Sequence, residues 1–233
     1  APVSDGAFGF QWDHDNPFSG PARTLVLPGF LLAVRPVTCG EYAGFLNALA
    51  PEDAARRAPR ESPEAAGWWP GCPWEVPTAA WLAAAAPERR AAARRLLNCP
   101  VDWEADWPVT GVSWEDALSY AAWTRGRTGF LVTLPAAAQW EKAARGPDRR
   151  YFPWGRRHDA RWCNGDLSHE GGARPVPVGA FPGDESPYGV RGLAGNTRDA
   201  CLDAAGPEQP GRREFRGGTW GRSAIESRAT DRT

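Results

Sequence analysis

The chain has no methionine, a single lysine and only three histidines. Each shortage narrows the chemistry. Lys142 is alone among 27 basic residues, so every other cation is an arginine, which together with abundant alanine points to GC-rich coding rather than to a specialised role. His14, His158 and His169 stand one to a loop, in no H-x-x-x-H-x-E arrangement and at no helical ligand spacing, so a three-histidine iron site finds no ligand set. The five cysteines (Cys39, Cys72, Cys99, Cys163, Cys201) are odd in number and contain no C-x-x-C pair. That argues against a disulfide scaffold or a structural zinc and for free, mostly buried thiols. No charge excess exists either: 27 basic against 28 acidic residues leave a formal charge of -1, without the one-signed field that grips nucleic acid or an acidic membrane face. No run approaches the roughly 18 apolar residues of a membrane span, and no basic stretch followed by an apolar core opens the chain. Neither a nucleic-acid partner nor membrane insertion is expected, and a soluble, cytoplasmic protein is the default. G-x-S-x-G, P-loop and G-x-G-x-x-G motifs are also absent. Because position 1 is not methionine, the chain is expected to lack its natural start, which leaves room for neighbouring domains outside it.

What is present is bulk and punctuation. In 233 residues there are 13 tryptophans, 26 glycines and 23 prolines, a mixture that favours a loop-rich fold pinned by large rings, with few long helices. Ala1 to Pro21 carries Gly, Asp, Asn and Pro at loop density, and Thr24–Leu27 and Phe30–Val34, separated by Pro28-Gly29, predict a hairpin. Thr38, followed three residues later by Glu41, begins a capping box, and Tyr42, Phe45, Leu46 and Leu49 recur at helical spacing, predicting a helix over about 39–49. Residues 51–107 turn rich in Pro, Ala, Arg and Trp and read as an insertion on a single domain, with a helical stretch around Trp81–Leu97. Ser113 then caps a helix ending at Gly126 or Gly129, and Pro135 opens another over 136–145 with Trp140 and Ala143 or Ala144 facing inward. Beyond Tyr151 nothing has helical period. Helices first and irregular β structure after make an α+β class.

The order of landmarks then carries a resemblance. Pro36-Val37-Thr38-x-x-Glu41-Tyr42, Val112-Ser113-Trp114-x-Asp116-Ala117, Leu134-Pro135 followed by Trp140-Glu141, Ala143-Ala144-Arg145-Gly146, Pro153-Trp154-Gly155, Ser186-Pro187-Tyr188-Gly189-Val190, Ala194-Gly195-Asn196 and Arg216-Gly217-Gly218-Thr219-Trp220 follow one another along the chain. This series resembles the formylglycine-generating-enzyme, or sulfatase-modifying-factor, superfamily over nearly the whole chain apart from 51–107. The resemblance implies a C-type-lectin-like fold of that type, in which Trp114, Trp123, Trp140, Trp154 and Trp220 would wedge loops apart.

The same resemblance carries expectations about function. The oxidase members bind copper through two cysteines just after the Arg-Gly-Gly-Ser-Trp motif, soft thiolates being what selects Cu(I). Arg222 and Ser227 stand at those positions here, which implies no turnover and no required cofactor. Relatives hold Ca²⁺ near the equivalents of Asn164, Asn196 and Asp199, whose oxygens suit a hard cation as well as they suit a tight turn. Without catalysis the tail becomes a surface loop on a rigid frame. It resembles the variable proteins of diversity-generating retroelements, with Trp220, Gly221, Arg222, Ser223, Ile225, Glu226, Ser227, Thr230 and Asp231 as recognition positions and Ala224, Arg228, Ala229 and Arg232 as framework. The expected function is binding of a protein or small-molecule ligand. A sensor module of a bacterial kinase-associated protein and a copper or iron oxidase are the alternatives, and the chain stops short of the Gly-Phe-Arg strand with which the family usually closes.

Overall fold

The computed structural model describes residues 1–11, 13, 15–16, 19–59, 105–170, 172–206 and 211–232. They form two compact units, one of residues 1–36 and 134–233, the other of residues 37–133. The expected helical stretch around Trp81–Leu97, with Cys72, Cys99 and His14, lies outside the described residues.

In the unit of residues 37–133, Thr38 builds the capping box that its sequence predicts. Its Oγ1 accepts from Glu41 N at 3.3 Å while Glu41 Oε2 accepts from Thr38 N at 2.9 Å. Helix α1 (Cys39–Asn47) follows and buries Cys39, Tyr42, Phe45 and Leu46. It closes two residues before the expected end because Ala48 and Leu49 bond back three residues, to Phe45 and Leu46, and Pro51 then starts helix α2 (Pro51–Arg57). Helix α3 (Trp114–Thr128) is capped by Ser113, whose side chain accepts from Asp116 N, and ends at Gly129 with φ 75°, a left-handed stop that glycine adopts without strain. Tyr120 and Trp123 bring their rings to 5.8 and 5.6 Å from Phe45, which fixes α3 against α1.

The other unit begins with a ribbon that corrects two expectations. Strand β2 (Gly6–Phe10) pairs antiparallel with β3 (Arg23–Leu27), and β1 (Pro2–Val3) pairs with β4 (Phe30–Leu31). The opening is therefore strand rather than loop, and Pro28-Gly29 interrupts a ribbon instead of turning a hairpin. Pro28 has no N–H to give the ladder opposite Asp5, so the pairing is interrupted there and resumes in the same register. Helix α4 (Ala137–Arg145) starts one residue later than expected, after Pro135 and an alanine at the cap. An alanine cannot cap, and the Asp203 carboxylate takes the role from a distance, accepting from Ala137 N at 2.6 Å. Trp140 and Ala144 pack with Val190, Leu193, Cys201 and Ala229 to form the core, closed by β5 (Asp199–Ala204) paired with β6 (Arg213–Arg216). Helices, short two-stranded sheets and long connections make an α+β, loop-rich fold.

Candidate functional site

The C-terminal tail is laid over a floor of buried charge. Arg216, at the end of β6, and Arg145, in α4, have no exposed side-chain surface, and both reach the equally buried Glu141. Arg145 Nη1 donates to Glu141 Oε1 at 2.9 Å and Arg216 Nη1 to Glu141 Oε2 at 3.1 Å, while Gln11 N donates to the same carboxylate at 2.5 Å. Burial pushes the Glu141 carboxyl up, and Arg216, Arg145 and the Gln11 N–H oppose it. Arg216 Nε also donates to Glu214 Oε1 at 2.6 Å.

Above this floor three loops approach one another closely at glycines. A Cβ on Gly195 would sit 2.5 Å from Asn164 O, and one on Gly218 2.3 Å from Ala194 O. Neither approach tolerates a side chain. Trp220 N donates to Asn196 O at 3.3 Å, and Asp166 N to Arg222 O at 3.2 Å, so the loops at 164–168, 194–199 and 217–222 stack into one block.

The tail divides into an inner and an outer row, which corrects the picture of a surface loop throughout. Ser227, Thr230 and Asp231 are buried, 1%, 0% and 1% exposed. Thr230 Oγ1 donates to Asp13 Oδ2 at 2.9 Å and accepts from Asn16 Nδ2 at 3.2 Å, while Arg228 Nη1 donates to Asp13 Oδ1 at 2.7 Å. Asp231 Oδ2 accepts from Arg198 Nη2 at 3.1 Å, and burial raises the Asp231 carboxyl to about 7 against the pull of that arginine. Ser227 lies beside the Cys163 thiol, itself fully buried, pushed up to about 12 by that burial and 3.9 Å from His158 Nε2. Gly221, Arg222 and Ser223 are exposed, and Trp220, Ile225 and Glu226 half-buried. Ala229 is buried, and its N–H donates to Tyr151 O at 2.8 Å.

The residues expected to hold calcium spend their side-chain oxygens on hydrogen bonds within the protein. Asn164 and Asn196 do meet, Asn164 Nδ2 donating to Asn196 Oδ1 at 3.0 Å. Yet Asn196 Oδ1 also accepts from Val176 N at 3.1 Å, and Asn196 Nδ2 donates to Val176 O at 2.8 Å, so the amide braces a loop. Asn164 Oδ1 lies 2.9 Å from His169 Nε2. Asp199 is turned to the core, where its carboxylate accepts from Trp140 Nε1 at 2.7 Å. These residues fit a hydrogen-bonded bracket and do not fit one shared ion, and among the described residues no group of three or more His, Cys, Asp or Glu side chains could hold a metal. No helix among them is long and apolar enough to cross a membrane.

The sulfatase-modifying factor enzyme 1-like domain family matches residues 2–233. The chain belongs to this family. It is 31% identical over 209 residues to the formylglycine-generating enzyme of Thermomonospora curvata, covering 79% of this chain and 63% of that protein. It is 28% identical over 226 residues to the inactive C-alpha-formylglycine-generating enzyme 2 of Mus musculus, covering 86% of this chain and 67% of that one. The fold is shared with PvdO from Pseudomonas aeruginosa, with a TM-score of 0.73 at 20% identity over 100% of this chain and 86% of PvdO. It is shared also with Treponema denticola variable protein 1, with a TM-score of 0.65 at 14% identity over 100% of this chain and 87% of that one. Family membership thus spans proteins named as enzymes and as inactive, and it does not by itself decide turnover.

Sequence reasoning missed Asp13, Glu141, Arg145, Arg198 and Arg216 as the tail's supports. Glu141 and Arg145 left a signal, an i, i+4 ion pair on the helix that also carries Trp140 and Ala144. Asp13 left none, since its partners Arg228 and Thr230 lie more than two hundred residues away along the chain.

Proposed function

We propose that this chain is a recognition protein without turnover, which displays the outer row of its tail (Trp220, Gly221, Arg222, Ser223 and Ile225) to a protein or small-molecule ligand, as a variable protein would. The observation that carries the reading is the division of the tail. Thr230 and Asp231 are fixed by bonds to Asp13 and Arg198, which leaves exposed outer residues such as Arg222 and Ser223 able to differ without disturbing the packing beneath. The thiol chemistry points the same way. At the positions resembling the copper ligands, Arg222 is a solvent-facing guanidinium and Ser227 an interior hydroxyl, with one thiol, Cys163, beside it. Burial pushes that thiol up to about 12, and a lone thiol is not the pair of soft ligands that the copper site of the oxidases uses.

Copper titration with oxygen uptake on a cysteine-containing sulfatase peptide tests the absence of turnover. The expected result is neither stoichiometric Cu(I) binding nor formylglycine product, and finding both would overturn the proposal.

A further inference from the structure

We infer that the ligand of this tail is an acidic polypeptide segment bearing large apolar side chains. The inference rests on the recognition reading above and adds to it a sign of charge and a class of partner. In the sequence the tail carries both signs and offers both to a ligand. Folding withdraws the negative one. Glu226 keeps 17% of its side-chain surface and lies between Arg222, at 3.3 Å, and Arg198, at 3.8 Å. Asp231 keeps 2%, with Arg198 at 3.1 Å. Arg228 is turned inward to Asp13 and keeps 19%. Arg222 retains 57%, so the charge exposed on the crest is a guanidinium whose remaining donors form a planar fork suited to a carboxylate.

The surface continues beyond the tail. Asp166 N donates to Arg222 O and Cys163 lies beside Ser227, which runs the 162–167 loop alongside residues 222–227. On that loop Trp162 is 42% exposed and Leu167 77%. The Trp162 ring stands 5.8 Å from that of Trp154, and Arg156 and Arg157 are exposed two and three residues after Trp154. Asp159 is engaged by Arg161, and the exposed carboxylates that work against the rest are Asp166 and Glu170. Tryptophan and arginine are the residue types that anchor protein interfaces, and here they flank an apolar leucine. A polynucleotide is the weaker fit. The chain's formal charge is -1 and Asp166 and Glu170 are interspersed with the arginines, so a polyphosphate meets no extended positive field, whereas one or two carboxylates meet Arg222 at short range.

Selection of phage-displayed random dodecapeptides on the immobilised full chain tests the inference. Enrichment of Asp and Glu together with Trp, Phe or Leu is expected. The best synthetic peptide should lose about tenfold or more in affinity on Arg222→Glu and on Trp162→Ser, and should bind more tightly to Asp166→Asn. Circular dichroism on each variant guards against misfolding. Enriched peptides that are basic or uncharged, or affinity indifferent to Arg222→Glu, would overturn the acidic partner while leaving recognition standing. Displacement by single-stranded DNA at equal concentration would also overturn it, in favour of a polynucleotide. No enrichment above a variant with Trp220, Arg222, Ser223 and Ile225 all replaced by alanine would overturn this inference and the recognition reading together.

Discussion

Glu141 is held by two arginines and a backbone N–H in a site without solvent, so its charge is compensated only while all three partners stay. Removing one member of such a set leaves the others buried and unbalanced. Glu141→Gln should therefore lower the unfolding free energy by about 3–5 kcal/mol in urea titrations, and a loss below about 1 kcal/mol would show that water reaches the site. Asp184 behaves differently, being held by backbone N–H groups. Burial raises it from 3.8 to about 7, with a smaller push from the Asp199 charge, although Ala194, Leu193 and Gly195 donate backbone N–H groups to it. A carboxyl whose folded value lies above its unfolded one stabilises in full below the unfolded value and loses that contribution as pH rises through the folded one. Stability from this group should thus drain between pH 4 and 7, and Asp184→Asn, though weaker overall, should give a flatter profile across that window. Parallel profiles for the two proteins would refute the assignment.

Among the elements, those specified by neighbours in sequence were the ones that could be read. Thr38 with Glu41, and Ser113 with Asp116, announced α1 and α3 because cap and capped groups lie three residues apart. Thr38→Ala should cost about 1 kcal/mol, measurable as a lower Tm with unchanged helical content at low temperature. The ribbon was not legible. Its pairs join Gly6 to Leu27 and Phe10 to Arg23, and the local Pro28-Gly29 signal competed with them. The tail's inner row was hidden for the same reason, since nothing in the spacing of Ser227, Thr230 and Asp231 reveals Asp13 or Arg198. Glycine packing sets the tail's position. With Ala194 O only 2.3 Å from where a methyl would stand, Gly218→Ala cannot be accommodated without moving the strand end. Limited trypsin digestion should then cut after Arg222 or Arg228 in that variant well before it cuts the parent chain, and equal resistance would mean that the loop contact is dispensable.

For the molecule as a whole, the family and the α+β class were legible because the glycine, proline and tryptophan landmarks occupy backbone positions that few other residues tolerate. The site was legible only as a stretch. Which of its residues face outward follows from long-range ion pairs, and the three supposed calcium ligands separate because Trp140 claims Asp199. Neither EDTA nor millimolar calcium should move the melting temperature, and a rise of several degrees on adding calcium would restore the metal reading. The fixed inner row also makes this protein a candidate for engineering. Gly221, Arg222, Ser223 and Ile225 could be randomised together in a library, and most members should still fold, because the anchors that hold the crest in place belong to other codons.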